Sequence, residues 1–120
     1  MTEIKIEMPL KNFNLNNYTQ LARTHWAVSN KAKKDLQSLI CWQVKAQINE
    51  LIATPAKINA VWQSKSSNFD LDNLLLKAIL DELQNMELLE NDNAKHIQSI
   101  THDFEINKNW QGVKLKFIGL

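Results

Sequence analysis

Apolar and polar residues alternate at the start of the chain, with Ile4, Ile6 and Met8 set against Lys5 and Glu7. A period of two predicts a strand over residues 3–8 with one buried face. Residues 9–28 hold no sustained period and are rich in asparagine: Asn12, Asn14, Asn16 and Asn17. They read as a long loop, a feature that often carries function. After residue 30 the period changes. Leu36, Ile40, Val44, Ile48 and Ile52 recur every four residues, beside Ala32, Leu39 and Leu51. That is a helix stripe about six turns long. Ser29 is placed to cap the helix at Asn30. Pro55 is placed to end it, because the residue before a proline avoids helical backbone.

Ile58, Ala60 and Trp62 alternate with Lys57, Asn59 and Gln63, predicting a second strand over residues 56–63. A polar connector, Ser64 to Phe69, follows. Asp72 is placed to cap a second helix that buries Leu75, Ala78, Ile79, Leu83 and Met86. Asn91-Asp92-Asn93 breaks it. Residues 95–106 alternate again, with Ile100, Phe104 and Ile106 on one side. After a turn at Asn107 to Gly112, Val113, Leu115 and Phe117 alternate with Lys114 and Lys116. The last two strands are expected to form an antiparallel hairpin. The order β-α-β-α-β-β predicts an α+β fold: one small domain over residues 1–120, a mixed four-stranded sheet with two helices.

Composition agrees with a folded domain. Of 120 residues, 44% are hydrophobic, and only 2 Gly and 2 Pro interrupt regular structure. With 14 basic and 13 acidic residues the net charge is +1, so nucleic-acid binding rests on charge placement and not on the sum. The single cysteine, Cys41, reads as a small apolar filler in the long helix and leaves no Cys cluster for zinc. The first residues are acidic and alternating, unlike a secretory signal, and no apolar run approaches the roughly 20 residues that span a bilayer. The expected compartment is the cytoplasm.

Asp70, Asp72 and Asp92 are the candidate chemistry. Asp70 and Asp72 lie where a strand ends and a helix starts, and Asp92 precedes the next strand. In a small sheet both positions can share an edge. Hard cations such as Mg²⁺ take carboxylate oxygens and keep several waters, so two or three aspartates suffice. Asn73 can orient a ligand or a water, and Lys77 can meet a phosphate's charge. Each residue also has a plain structural reading: Asp72 as a helix cap, Asp70 as an acid favoured by the helix dipole, Asp92 as turn chemistry.

The run Asp70-Leu71-Asp72-Asn73-Leu74, followed by Lys77-Ala78-Ile79-Leu80-Asp81-Glu82-Leu83, resembles the signature stretch of the RusA-type Holliday junction resolvases. Asn91-Asp92-Asn93 resembles the acidic turn that follows it. Asn16-Asn17-Tyr18 and Arg23-Thr24-His25 resemble that family's segments before the long helix. The similarity covers nearly the whole chain. It implies a homodimeric endodeoxyribonuclease that nicks four-way DNA junctions symmetrically with Mg²⁺, or Mn²⁺ as a substitute. Asp70, Asp72 and Asp92 would hold the metal, and Lys77 would be catalytic. One extra residue separates Asn73 from Lys77 relative to the family pattern. On a helix, five residues are about 140° out of phase, against about 40° for four.

Arg23, His25, Lys31, Lys33 and Lys34 form the best basic cluster for phosphates, with Asn73 near the site; the alternative is a solvated helix face. Lys65 is a similar case with weaker support. Trp26, Trp42, Trp62 and Trp110 are expected in core or dimer packing, with Trp26 also suited to stacking on an unpaired base. Phe69, beside the acidic motif, is a candidate wedge at a junction's branch point. His96 and His102 read as satisfied histidines, and Glu82, Glu87 and Glu90 as helix-surface charge. The long helix or the hairpin is the expected dimer surface. Two other functions fit the sequence: a junction-binding protein that does not cut, and a small protein-interaction domain.

Overall fold

A computed structural model gives the fold. It describes residues 1–10, 26–67, 70, 71, 74 and 76–120. For residues 26–30, 32 and 33 it describes the backbone alone. The elements run β1 (Thr2–Glu7), α1 (Trp26–Lys45), β2 (Ala56–Ser64), α2 (Lys77–Asn85), β3 (Ile97–Ile106) and β4 (Gly112–Gly119). The α+β class, the mixed four-stranded sheet and the element order all match the pattern read from the sequence.

The sheet order is β1-β4-β2-β3. β4 lies between β1 and β2 and is antiparallel to both, while β3 runs parallel to β2. The expected hairpin of the last two strands therefore does not form. Val113, Leu115 and Phe117 of β4, between β1 and β2, are all 2% exposed or less. β3 is left at the edge, where Ile100 and Ile106 stay 44% and 55% exposed.

Register aligns the apolar positions on one face. Ile4, Leu115 and Ala60 are neighbours across three strands, as are Ile6, Val113 and Trp62. The helices cover that face through Ile40 and Val44 of α1 and Ile79, Leu80 and Leu83 of α2. The opposite face carries Lys5, Lys114, Val61 and Asp103 side by side.

Both helices differ from the expected bounds. α1 starts at Trp26, ahead of the cap expected at Ser29, and stops at Lys45, short of Pro55. Ile48 and Ile52 keep the four-residue spacing but lie beyond the helix. The chain turns at Val44, whose carbonyl accepts from Gln47 N (2.9 Å) and Ile48 N (3.0 Å). Ile52 then enters the core from an irregular segment, held by Ile52 N donating to Leu88 O at 2.8 Å. α2 starts at Lys77 with Leu76 in the cap position and no side-chain cap, so the expected cap at Asp72 is not the start of this helix. Glu82, expected on the surface, is 8% exposed and accepts from Asn85 Nδ2 at 3.4 Å.

α1 also seals one edge of the sheet. Gln47 accepts from Lys5 N (2.7 Å) and donates to Lys5 O (2.7 Å). One turn earlier, Gln43 accepts from Glu7 N (2.7 Å) and donates to Glu7 O (3.0 Å). Two side-chain amides thus stand where a neighbouring strand's backbone would be, on the outer edge of β1.

Candidate functional site

The candidate site begins where β2 ends. A polar set holds that end: Asn107 N donates to Ser64 O (2.9 Å), Asn107 Nδ2 to Gln63 Oε1 (3.0 Å) and Gln111 Nε2 to Ser64 Oγ (3.2 Å). Gln63 Nε2 donates to Glu105 Oε2 at 2.9 Å, and Gln111 Oε1 accepts from Leu10 N at 2.9 Å. Gln63 and Ser64 are consequently buried although polar. They fix the point from which the chain departs toward Asp70. Gln63 and Ser64 extend the alternation of β2 past its last apolar residue, which was the only sign of them in the sequence.

Asp70 is exposed on the surface, next to Leu71, which packs partly against the core. Leu74 and Leu76, at 3% and 4% exposure, pull the following residues inward. Lys77 then opens α2. It is exposed and pairs with Asp81 one turn along, Nζ to Oδ2 at 3.6 Å. Asp72 and Asn73, with Phe69, lie outside the described residues. The extra residue between Asn73 and Lys77 precedes the regular helix, so the 140° phase argument does not apply to Lys77.

Asp92 is half-buried in the turn before β3. Its neighbours build that turn. Asn91 Oδ1 accepts from Asn93 N (3.1 Å), Asn93 Oδ1 accepts from Lys95 N (3.2 Å), and Asn93 O accepts from His96 N (3.0 Å) and Ile97 N (2.9 Å). Within the described residues no hydrogen bond or ion pair uses the Asp92 carboxylate. The turn-chemistry reading thus belongs to Asn91 and Asn93, and leaves Asp92 available to a ligand.

The expected shared edge is not found. β2 and β3 are parallel, so the exit of β2 and the start of β3 lie at opposite ends of a ladder about 26 Å long. Bringing Asp70 to Asp92 therefore depends on the path of residues 65–76. Among the described residues, no three His, Cys, Asp or Glu side chains group to hold a metal, and Asp72 is not among them. Asp70 and Asp92 offer the hard oxygen donors that Mg²⁺ prefers.

Of the basic cluster, Lys31 and Lys34 are exposed on α1. Arg23 and His25 and the Lys33 side chain lie outside the described residues. Lys34 also lines a groove between α1 and α2 of about 500 Å³, with Trp42, Lys45, Glu82 and Asn85. Trp42 is 79% exposed and so is no part of the core; Trp62 is fully buried, and Trp110 lies under Lys114 Nζ at 5.9 Å. Cys41 is half-buried in the same groove.

His96 and His102 are satisfied within the fold. His96 Nδ1 lies 2.8 Å from Asn93 Oδ1, and its Nε2 lies 3.5 Å from Glu90. Trp62 Nε1 donates to His102 Nδ1 at 3.0 Å, with the two rings stacked. Burial lowers the His102 pKa below its ordinary 6.5, opposed by the charge of Asp103. Comparison with protein-family models and with curated proteins found no match. No helix among the described residues is long and apolar enough to cross a membrane.

Proposed function

We propose that the protein is a Mg²⁺-dependent, structure-selective endodeoxyribonuclease that nicks four-way DNA junctions in pairs, serving recombination and repair. Asp70, Asp72 and Asp92 are its metal-binding carboxylates. The observation that carries this reading is the sequence pattern around them, set on the β-α-β-α-β-β order that such a resemblance implies. Two details support it. α2 begins at Lys77 with Leu76 as its N-cap, so that helix takes no aspartate as its cap. The turn at Asn91-Asp92-Asn93 is built by the two asparagines, leaving Asp92 available.

The bound cation would polarise the phosphodiester and activate a water. Lys77, exposed on the first turn of α2, would meet the charge developing on the phosphate. Lys31 and Lys34 would contact the DNA backbone, together with Arg23, His25, Lys33 and Asn73. A junction with two equivalent strands calls for two equivalent sites, hence a homodimer. The cytoplasm of a bacterium or of a phage-infected host is the setting this reading implies.

A synthetic four-way junction with Mg²⁺ tests it. Paired symmetric nicks are expected from the native chain. Asp70→Asn and Asp72→Asn should each lower nicking by about 100-fold or more. Their melting temperatures should stay equal or rise, because removing mutually repelling carboxylates from a metal-free site relieves strain. A lower melting temperature with unchanged DNA activity would favour a protein-interaction domain instead. The separation of the β2 exit from the β3 start favours a second reading, a junction-binding protein that does not cut. Tight junction binding without nicks at every Mg²⁺ or Mn²⁺ concentration would establish that one.

A further inference from the structure

The sheet face away from the helices carries its side chains in rows across the strands. One row sets Glu3 beside Lys116 and Asn59 beside Thr101. Both pairs are closed. Lys116 Nζ lies 3.5 Å from Glu3 Oε1, and Thr101 Oγ1 donates to Asn59 Oδ1 at 2.7 Å. The next row sets Lys5 beside Lys114, then Val61, then Asp103. Its charges are not closed. Among the described residues, Lys5 Nζ and the Asp103 carboxylate make no hydrogen bond or ion pair. Lys114 Nζ has the Trp110 ring, at 5.9 Å, and no carboxylate among them.

The backbone holds the two lysines close. Lys5 N and Lys5 O both bond to Gln47, so they turn away from β4. Lys5 and Lys114 are thus a non-hydrogen-bonded pair, the closer cross-strand arrangement, with Cα atoms about 4.5 Å apart. Like charges so placed repel. An anion between them turns the repulsion into two charge-assisted bonds. Both lysines line a cavity of about 390 Å³ that Val61, Asn59 and Asp103 also line. A Cβ at Gly112 would stand 2.8 Å from the Trp110 ring, so the bare glycine lets that ring lie beside Lys114. Asp103 is two strand spacings from Lys114, about 10 Å across the sheet. That is about one screening length, so its charge hardly opposes an anion at the lysines. Asn59 Nδ2 can donate and Asp103 can accept, which suits hydroxyl groups. A phosphomonoester carries nearly two negative charges at neutral pH, matching two lysines.

We infer that this cavity binds a small phosphomonoester of a hydroxyl-bearing compound, with its phosphate between Lys5 and Lys114 and its hydroxyls at Asn59 and Asp103. The site uses none of the residues proposed for metal or DNA, and its test needs neither, so either reading can fail alone. Ribose 5-phosphate is the probe, followed by NMR titration of the native chain. It should saturate, with inorganic phosphate about 10-fold weaker for want of the hydroxyl contacts. Lys5→Gln and Lys114→Gln should each weaken both ligands by about 10-fold. Lys95→Gln, an exposed lysine elsewhere, should change neither. Lys5→Gln should also leave the melting temperature of the unliganded protein equal or higher, because it removes a like-charge pair. Asp103→Ala should bring ribose 5-phosphate down to the affinity of phosphate without weakening phosphate itself. No saturation by about 10 mM, well above the millimolar affinity such a site supplies, overturns the inference. So does equal weakening by Lys95→Gln, which would show general charge attraction. Binding that Lys5→Gln or Lys114→Gln leaves intact, or an Asp103→Ala that weakens both ligands alike, overturns it as well.

Discussion

Single residues carry more strain and more satisfaction here than their types suggest. Glu87 ends α2 with φ 61°, a left-handed backbone that a side chain disfavours. It does so because the helix closes as a Schellman motif, with Leu88 N donating to Leu83 O (2.9 Å) and Glu87 N to Gln84 O (3.0 Å). That closure drives Leu88 and Leu89 into the core. Glu87→Gly should keep the motif and stabilise the protein by about 0.5–1 kcal/mol in thermal melts, since glycine takes this conformation freely. His102 makes a second case. Its Nδ1 accepts the Trp62 indole proton, so the folded state favours neutral imidazole. The unfolded chain binds the proton more readily below pH 6.5. Stability should be full above pH 6.5 and fall as the pH drops from there toward the lower folded pKa. His102→Gln should flatten that slope in melts taken between pH 5 and 8, a window set by histidine's usual range.

At the scale of elements, Gln43 on α1 and Gln47 in the turn just past it do work that hydrophobic periodicity does not reveal. The two meet alternate residues of β1, Glu7 and Lys5. Each satisfies one outward N–H and one outward C=O. Gln43→Ala or Gln47→Ala should cost about 1–2 kcal/mol in urea melts, from two modest hydrogen bonds apiece. The double variant should also associate through β1, seen as species larger than those of the native chain, because its edge would then be bare. The same elements explain why α1 ends early. Gln47 is committed to β1, and the turn at Val44 frees the chain to carry Ile52 to Leu88.

At the scale of the whole molecule, β4 is the strand that unites the sheet. It is last in the chain yet central in space, paired with β1 on one side and β2 on the other. Truncation after Asn107 should abolish cooperative thermal unfolding by circular dichroism. It removes Val113, Leu115 and Phe117 from the core and leaves β1 without a strand partner. The same topology governs the candidate site. Because β3 is parallel to β2, the chain must cross the molecule between them, and Asp70 follows the exit of β2 while Asp92 precedes the start of β3.

The sequence by itself determined the kind and order of the elements, the buried face of β1, β2 and β4, and the residues proposed for chemistry. Periodicity is a local property, and a period of 2 or 3.6 survives in the sequence wherever one face meets a core. The tertiary structure alone decided the strand order, the ends of both helices and the placing of the β2 exit and the β3 start at opposite ends of their ladder. A local pattern cannot say which strand will be central. That choice follows from competition among all strands for the inner positions, in which β4, last in the chain, pairs with both β1 and β2. Nor could the spacing of Ile48 and Ile52 show that their backbone turns away from the helix, because the reason lies in Leu88 and β1, far along the chain. For the same reason Asp70, Asp72 and Asp92 were legible as residues, while their relation in space rests on a crossover that adjacent residues do not specify.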